Sequence, residues 1–437
     1  MLKRKIDRAL SEWKRTKNKQ GVLVTGARQI GKTYSIEAFA AQHYDSMVKI
    51  DFVEQPNAVK LIAEAKNLDD LIVRITALAS RPLPEGKTLL FFDEVQRCGD
   101  AITWMRYLAD DGRFDVIYSG SMLGVEAYDF RSLPVGTIDI LEMFPLDFEE
   151  FCWANDVDVS LWDIVRQCYE NQTAVPDFLH ERFRDLFARY VLVGGMPEAV
   201  QVYVTTHDTQ AMRARQRAIL ATYRSDITRY IKDIEHRRRI KTIYDAIPAQ
   251  LNKENRRFMV SGIDKKQRFN DMRPDFSWLV DAGVALMVER ATEAVFPLGM
   301  SAEASFFKLY LNDVGLLFST FPSADIEELL LQSKTINFGN AYENAVAQEL
   351  RAHGHERLFY YNATKVGEVD FLIERPGSTE IIPTEVKSGI YSRKHAALDR
   401  LLAVPNYQLS QAVVLHGDTL SKEGQVTYLP IYMAAFL

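Results

Sequence analysis

The eight residues Gly26-Ala27-Arg28-Gln29-Ile30-Gly31-Lys32-Thr33 constrain this chain more than any other stretch. Their two glycines let backbone N–H groups curl round a phosphate, and a lysine and a hydroxyl follow where a helix would begin. The flanks supply the required context. Gly21 to Thr25 is a short apolar run and Tyr34 to Gln42 has helical character, so the order is strand, loop, helix. Gly26, Ala27, Arg28, Gln29, Ile30, Gly31, Lys32 and Thr33 are therefore the expected ATP-binding residues. Lys32 should reach the β- and γ-phosphates, and Thr33 should place its hydroxyl on Mg²⁺.

A second motif follows sixty residues on. Leu89-Leu90-Phe91-Phe92-Asp93-Glu94 reads as a buried strand ending in two acids, with Asp93 expected in the Mg²⁺ shell and Glu94 expected to polarise the attacking water. A further strand ends at Ser119-Gly120-Ser121, where Ser119 or Ser121 could sense the γ-phosphate; plain turn chemistry explains the same residues equally well. Strands are also expected at Met47 to Phe52, Val116 to Ser119 and Thr137 to Leu141. Their alternation with helices predicts an α/β fold with a parallel sheet.

At 437 residues the chain is too long for one ordinary core, so several packed units are expected. We place the first at 1–145, a mostly helical lid at 146–235, a basic winged-helix-like unit at 236–330 and a small α/β unit at 335–437. The basic unit rests on three short helices followed by a hairpin at Val284 to Arg290 and Ala294 to Phe296. The N-terminal Leu2, Ile6, Leu10 and Trp13 recur at helical spacing and predict an amphipathic helix packed on the first unit. No stretch approaches a membrane span, and no signal peptide is legible. Three cysteines, Cys98, Cys152 and Cys168, lack the spacing of a disulfide framework or a zinc site, so a reducing, cytoplasmic compartment is expected.

The chain's net charge is −6, yet His236 to Arg273 carries eleven Lys or Arg against four Asp or Glu. A polyanion such as DNA or RNA would be drawn to residues 236–273. Solvated helix faces are the competing explanation. The dense apolar cluster around Tyr310, Leu311, Asp313, Gly315, Leu316 and Leu317 reads as packing.

Near the C-terminus, Asp370 lies in Gly367-Glu368-Val369-Asp370-Phe371, and Glu385 and Lys387 follow in Thr384-Glu385-Val386-Lys387-Ser388-Gly389. On a strand Glu385 and Lys387 share a face. If the strands pair, Asp370 and Glu385 could share a divalent metal, with Lys387 beside it and Glu343 of the preceding helix as a further ligand. Asp370, Glu385 and Lys387 would then be catalytic in phosphodiester hydrolysis. An ion-paired strand edge is the plainer alternative.

The phrases GARQIGKTY, LLFFDEVQR, VIYSGSMLG, LPVGTIDILEMFPLDFEEF, YVLVGGMPEAV and IPAQLNKENRRF resemble a widespread prokaryotic family of AAA-type ATPases with a C-terminal domain of unknown function. The resemblance implies an AAA+ fold, with Lys32 and Thr33 in the first motif, Asp93 and Glu94 in the second, and Ser119 or Ser121 at the first sensor. The acid, spacer and Glu-x-Lys arrangement resembles the restriction-endonuclease-like nuclease core. Where many family members have Gly-Arg, this chain has Gly136-Thr137, so no arginine role is carried there. Arg28, Arg131 and Arg224 remain candidates for phosphate sensing. Such enzymes often form rings completed by a neighbour's arginine; no arginine can be assigned to that task here, so a monomer or dimer is as compatible with the sequence as a ring, and a homo-oligomer or a protein partner stays open. Function is accordingly expected to be Mg²⁺-dependent ATP hydrolysis driving a switch on nucleic acid, or a nucleotide-gated interaction module with a degenerate nuclease-like domain.

Overall fold

A computed structural model describes residues 2–16, 20–120, 138–231, 233–253, 257–263, 267–321, 339–387 and 394–437. The chain divides into two compact units, the first holding residues 3–144 with 281–283 and the second holding 145–280 with 284–437.

The first unit is built on five parallel strands, β1 (Gly21–Thr25), β2 (Ser46–Asp51), β3 (Thr88–Asp93), β4 (Asp115–Ser119) and β5 (Ile138–Glu142), in the order β2-β3-β4-β1-β5. β1 and β3 are buried along their whole length, as an unbroken apolar run requires when helices cover both faces. Each large side chain buried in β3 contributes roughly 1.5–3 kcal/mol. Helix Lys5–Arg15 buries Ile6, Leu10 and Trp13, the stripe expected from spacing. Buried Arg4, just before it, donates to the carbonyls of Ile30 at 2.8 Å and Phe144 at 2.7 Å.

The second unit begins with five helices, Phe148–Ala154, Val159–Glu170, Asp177–Val193, Pro197–Thr206 and Thr209–Tyr230. Phe148, Phe151, Trp162, Phe183, Phe187 and Tyr190 form its aromatic core. Helices Ile234–Leu251 and Phe269–Asp281 follow, and then an eight-stranded mixed sheet. Its strands are β6 (Ala285–Ala291), β7 (Ala302–Leu311), β8 (Leu358–Ala363), β9 (Gly367–Glu374), β10 (Ile381–Val386), β11 (Ala412–His416), β12 (Ser421–Glu423) and β13 (Val426–Pro430). The order is β12-β13-β11-β10-β9-β8-β6-β7.

Two expectations are corrected here. The hairpin forms, but its second strand is Ala302–Leu311 rather than Ala294 to Phe296, which precede a turn around Leu298–Ser301. That hairpin is also no winged-helix wing standing apart from residues 335–437, because β6 pairs in parallel with β8. The physical reason is burial: Phe307, Leu309, Tyr310 and Leu311 would be exposed on an isolated hairpin, and in this sheet each is at most 1% exposed. Among the described residues no helix is long and apolar enough to cross a membrane.

Candidate nucleotide-binding site and carboxylate cluster

Strand order assembles the first site. Because β3, β4 and β1 are neighbours and parallel, their C-terminal ends bring Asp93, Ser119 and the loop Gly26–Thr33 side by side. The loop leaves β1 at Gly26 with φ 131°, and a Cβ there would lie 2.1 Å from the carbonyl oxygen of Met143, so only glycine fits. Gly31, at φ 92°, starts helix Lys32–His43 and has no side chain to cap it, which leaves the first N–H groups to an anion. The buried Lys32 ammonium is held over the loop by the carbonyls of Gly26 at 2.9 Å and Ala27 at 2.7 Å. Burial pushes Lys32 down to about 8, against the pull of Glu94 and Asp93.

Asp93 is the hub. Its Oδ2 accepts from the Thr33 hydroxyl at 2.8 Å, its Oδ1 accepts from the Ser119 hydroxyl, and Lys49 Nζ lies 3.7 Å from Oδ2. Lys49 is shared with Glu37 at 3.0 Å. Glu94 takes a left-handed backbone at φ 55°, and its Oε2 accepts from Gln96 Nε2 at 2.6 Å. A non-glycine residue there costs roughly 1–2 kcal/mol. The strain turns the second acid out of the strand while Asp93 stays in it. A hydroxyl and a carboxylate oxygen at this point are donors that suit a hard cation such as Mg²⁺. Lys49 and Gln96 were not anticipated. Lys49 aligns with Phe91, two residues before Asp93, so only the β2–β3 register reveals it.

Ser121, Arg131 and Gly136-Thr137 lie outside the described residues. Arg28 is half-buried and close enough to depress Lys32 further. Arg224 is engaged in an ion pair with Asp245 at 2.6 Å. In the basic segment, Arg239 binds fully buried Asp275 at 2.7 Å and Arg237 donates to the carbonyl of Ile231, whereas Arg238, Lys241, Arg268 and Arg273 are exposed. Of the other basic residues there, Arg256, Lys265 and Lys266 lie outside the described residues.

In the second unit β9 and β10 pair, Thr384 facing Phe371, and bring Asp370 beside Glu385. Asp370 Oδ2 accepts from the backbone N–H of Val386 at 2.8 Å, and Lys387 binds Glu385 at 2.6 Å. Burial first, and then Asp370, push Glu385 up to about 7. Glu343, on helix Gly339–Ala352, accepts from the Tyr310 hydroxyl at 2.8 Å. Between these acids stands a residue that sequence reading missed. Lys308 of β7 is completely buried, with Nζ 2.6 Å from Glu368, 3.6 Å from Glu343 and 3.8 Å from Asp370. Burial alone would lower its pKa, but Tyr310, Glu368 and Asp370 raise it above the ordinary lysine value. Among the described residues no group of three His, Cys, Asp or Glu is arranged to hold a metal ion.

Comparison with known proteins assigns the first region. Residues 18–152 match the model of an AAA domain; residues 184–325 and 338–433 match two domains of unknown function, DUF8612 and DUF4143. No curated protein matches the chain. Similar solved structures include the Orc1 protein of Aeropyrum pernix in complex with DNA, at 14% identity over 72% of this chain and 90% of that one, with a TM-score of 0.28. The RuvB Holliday junction branch migration motor of Thermotoga maritima matches at 16% identity over 48% and 79%, TM-score 0.23. An Hsp104–ADP complex of S. cerevisiae matches at 17% identity over 63% and 37%, TM-score 0.26. The sheet, the loop and the family match agree that residues 18–152 are an ATP-binding AAA+ P-loop domain.

Proposed function

We propose, on the premise that residues 18–152 are an ATP-binding AAA+ P-loop domain, that this chain hydrolyses ATP with Mg²⁺ and uses the cycle to switch its grip on nucleic acid. The observation that carries hydrolysis is Asp93, whose two oxygens collect the Thr33 and Ser119 hydroxyls while the adjacent Glu94 is turned away to face a separate partner, Gln96. Thr33 and Asp93 would hold Mg²⁺, which neutralises charge developing on the phosphates. Lys32 would leave the Gly26 and Ala27 carbonyls to meet the β- and γ-phosphates. Glu94, released from Gln96, would accept a proton from the attacking water. Ser119 would report the γ-phosphate through Asp93.

The nucleic-acid object is supported by the exposed Arg238, Lys241, Arg268 and Arg273 on an otherwise acidic chain. Changing Arg238 and Lys241 together to Glu should weaken duplex or single-strand binding at least tenfold and lower the salt dependence by about two counterions, read by fluorescence anisotropy against salt. The second reading is a nucleotide-gated module that acts on a protein partner. It is favoured by the diversion of Arg237 and Arg239 to internal contacts, and unchanged binding in the double variant would select it.

A further inference from the structure

The fold resemblance of residues 335–437 implies a divalent metal between Glu343, Asp370 and Glu385, and the residues present do not fit one. We propose that the ammonium of Lys308 closes this carboxylate cluster from within as a permanent counter-charge, so that the cluster is a metal-free ion-pair core joining β7, helix Gly339–Ala352 and β9. A divalent cation needs carboxylate oxygens within about 2.0–2.6 Å, and the fixed positive charge of Lys308 opposes its entry beside the same acids. Here three of the acids face Lys308, while Glu385 keeps only its Oε1 engaged and its buried Oε2 has no hydrogen-bond partner among the described residues. Glu368 binds Lys308 at 2.6 Å, Glu343 lies 3.6 Å from Lys308 and binds Tyr310, Asp370 lies 3.8 Å from Lys308 and binds the Val386 N–H, and Glu385 binds Lys387. Lys308 cannot swing out to make room, because it is completely buried and projects from the middle of a paired strand. The surrounding acids and Tyr310 keep it protonated despite that burial. Lys308 Nζ thus lies within 4 Å of Glu368, Glu343 and Asp370, and supplies the positive charge on that side of Asp370.

The test uses the full chain without nucleotide, in an Asp93→Ala background that silences the first site. Binding of Mn²⁺ is followed by the electron paramagnetic resonance signal of the free ion. Adding Asp370→Asn should leave the isotherm unchanged. Loss of a Mn²⁺ site with Kd below about 1 mM on that substitution would overturn the proposal, whatever the ATPase measurements give. Stability supplies the second readout. Lys308→Met should lower the melting temperature, and the double variant Lys308→Met with Glu368→Gln should melt higher than Lys308→Met alone, because the orphaned acid is gone. A double variant that melts at or below the single one would also overturn it. If Lys308→Met does not fold, the Mn²⁺ isotherm decides alone.

Discussion

Glu94 and Lys32 carry the sharpest expectations at the scale of single residues. Glu94→Gln should still bind ATP with wild-type affinity and lose turnover by roughly 10²–10⁴-fold, the usual worth of a positioned base. Equal steady-state rates in a phosphate-release assay would remove Glu94 from that role. Lys32 has a pH signature, because burial holds its pKa at about 8 and ATP binds the protonated form better. Affinity should be flat below pH 8 and fall above it, with proton uptake on binding; Lys32→Arg, charged throughout, should flatten the profile. Calorimetric titrations from pH 6.5 to 9.5 check this, and identical profiles for both proteins would show that another group titrates. These residues were legible in the sequence because loop, lysine, hydroxyl and paired acids are contiguous. Lys49, Gln96, Lys308 and Glu368 were not. Their roles arise from strand register and from the packing of distant strands, and neither leaves a local pattern.

The first sheet was legible at the scale of elements, because β1 and β3 are short apolar runs, each closed by a turn and followed by a helix. Of the second sheet, β6, β9 and β10 were legible as strands; β7, β11, β12 and β13 were not, and neither was the pairing of β6 with β8 across about 70 residues. One element reading changed its content. The stretch from Tyr310 to Leu317 packs as expected, yet within it Asp313 is fully buried and caps helix Val314–Ser319 through the Leu316 N–H at 3.0 Å. It also accepts from the Gly195 N–H at 2.5 Å, tying that helix to the turn after helix Asp177–Val193. Burial holds Asp313 up near 6, against the pull of the Gly195, Leu316 and Gly315 N–H groups. Between its ordinary value and 6 the native state therefore keeps a proton that the unfolded chain has lost. Its contribution to stability is full below the ordinary carboxylate value and is lost as pH rises through 6. Asp313→Asn, which does not titrate, should thus cost more at pH 4.5 than at pH 7.5, by roughly 2 kcal/mol. Urea melts at the two pH values measure the gap, and a pH-independent gap would exclude Asp313 as the titrating group.

The scale of the whole molecule sets family boundaries against physical ones. The two matched domains of unknown function end at residue 325 and begin at residue 338, between β7 and helix Gly339–Ala352. Physical continuity runs straight across that gap. Asn344 both accepts from the Leu311 N–H and donates to its carbonyl, Gln348 accepts from the Val314 N–H, and β8 uses β6 as one of its two neighbours. Lys308, the counter-charge of Glu368, Glu343 and Asp370, comes from the far side of it. A polypeptide of residues 338–437 would expose an unpaired β8 edge and bury acids without their cation, and losing one partner of such a buried pair costs about 3–5 kcal/mol. That loss is comparable to the entire stability of a small domain. We therefore expect residues 338–437 alone to give a poorly dispersed amide spectrum and no cooperative melt, whereas residues 145–437 should melt cooperatively. A well-dispersed spectrum from 338–437 would mean that its core closes without β6, β7 and Lys308, and the matched family boundary would then also be the folding boundary.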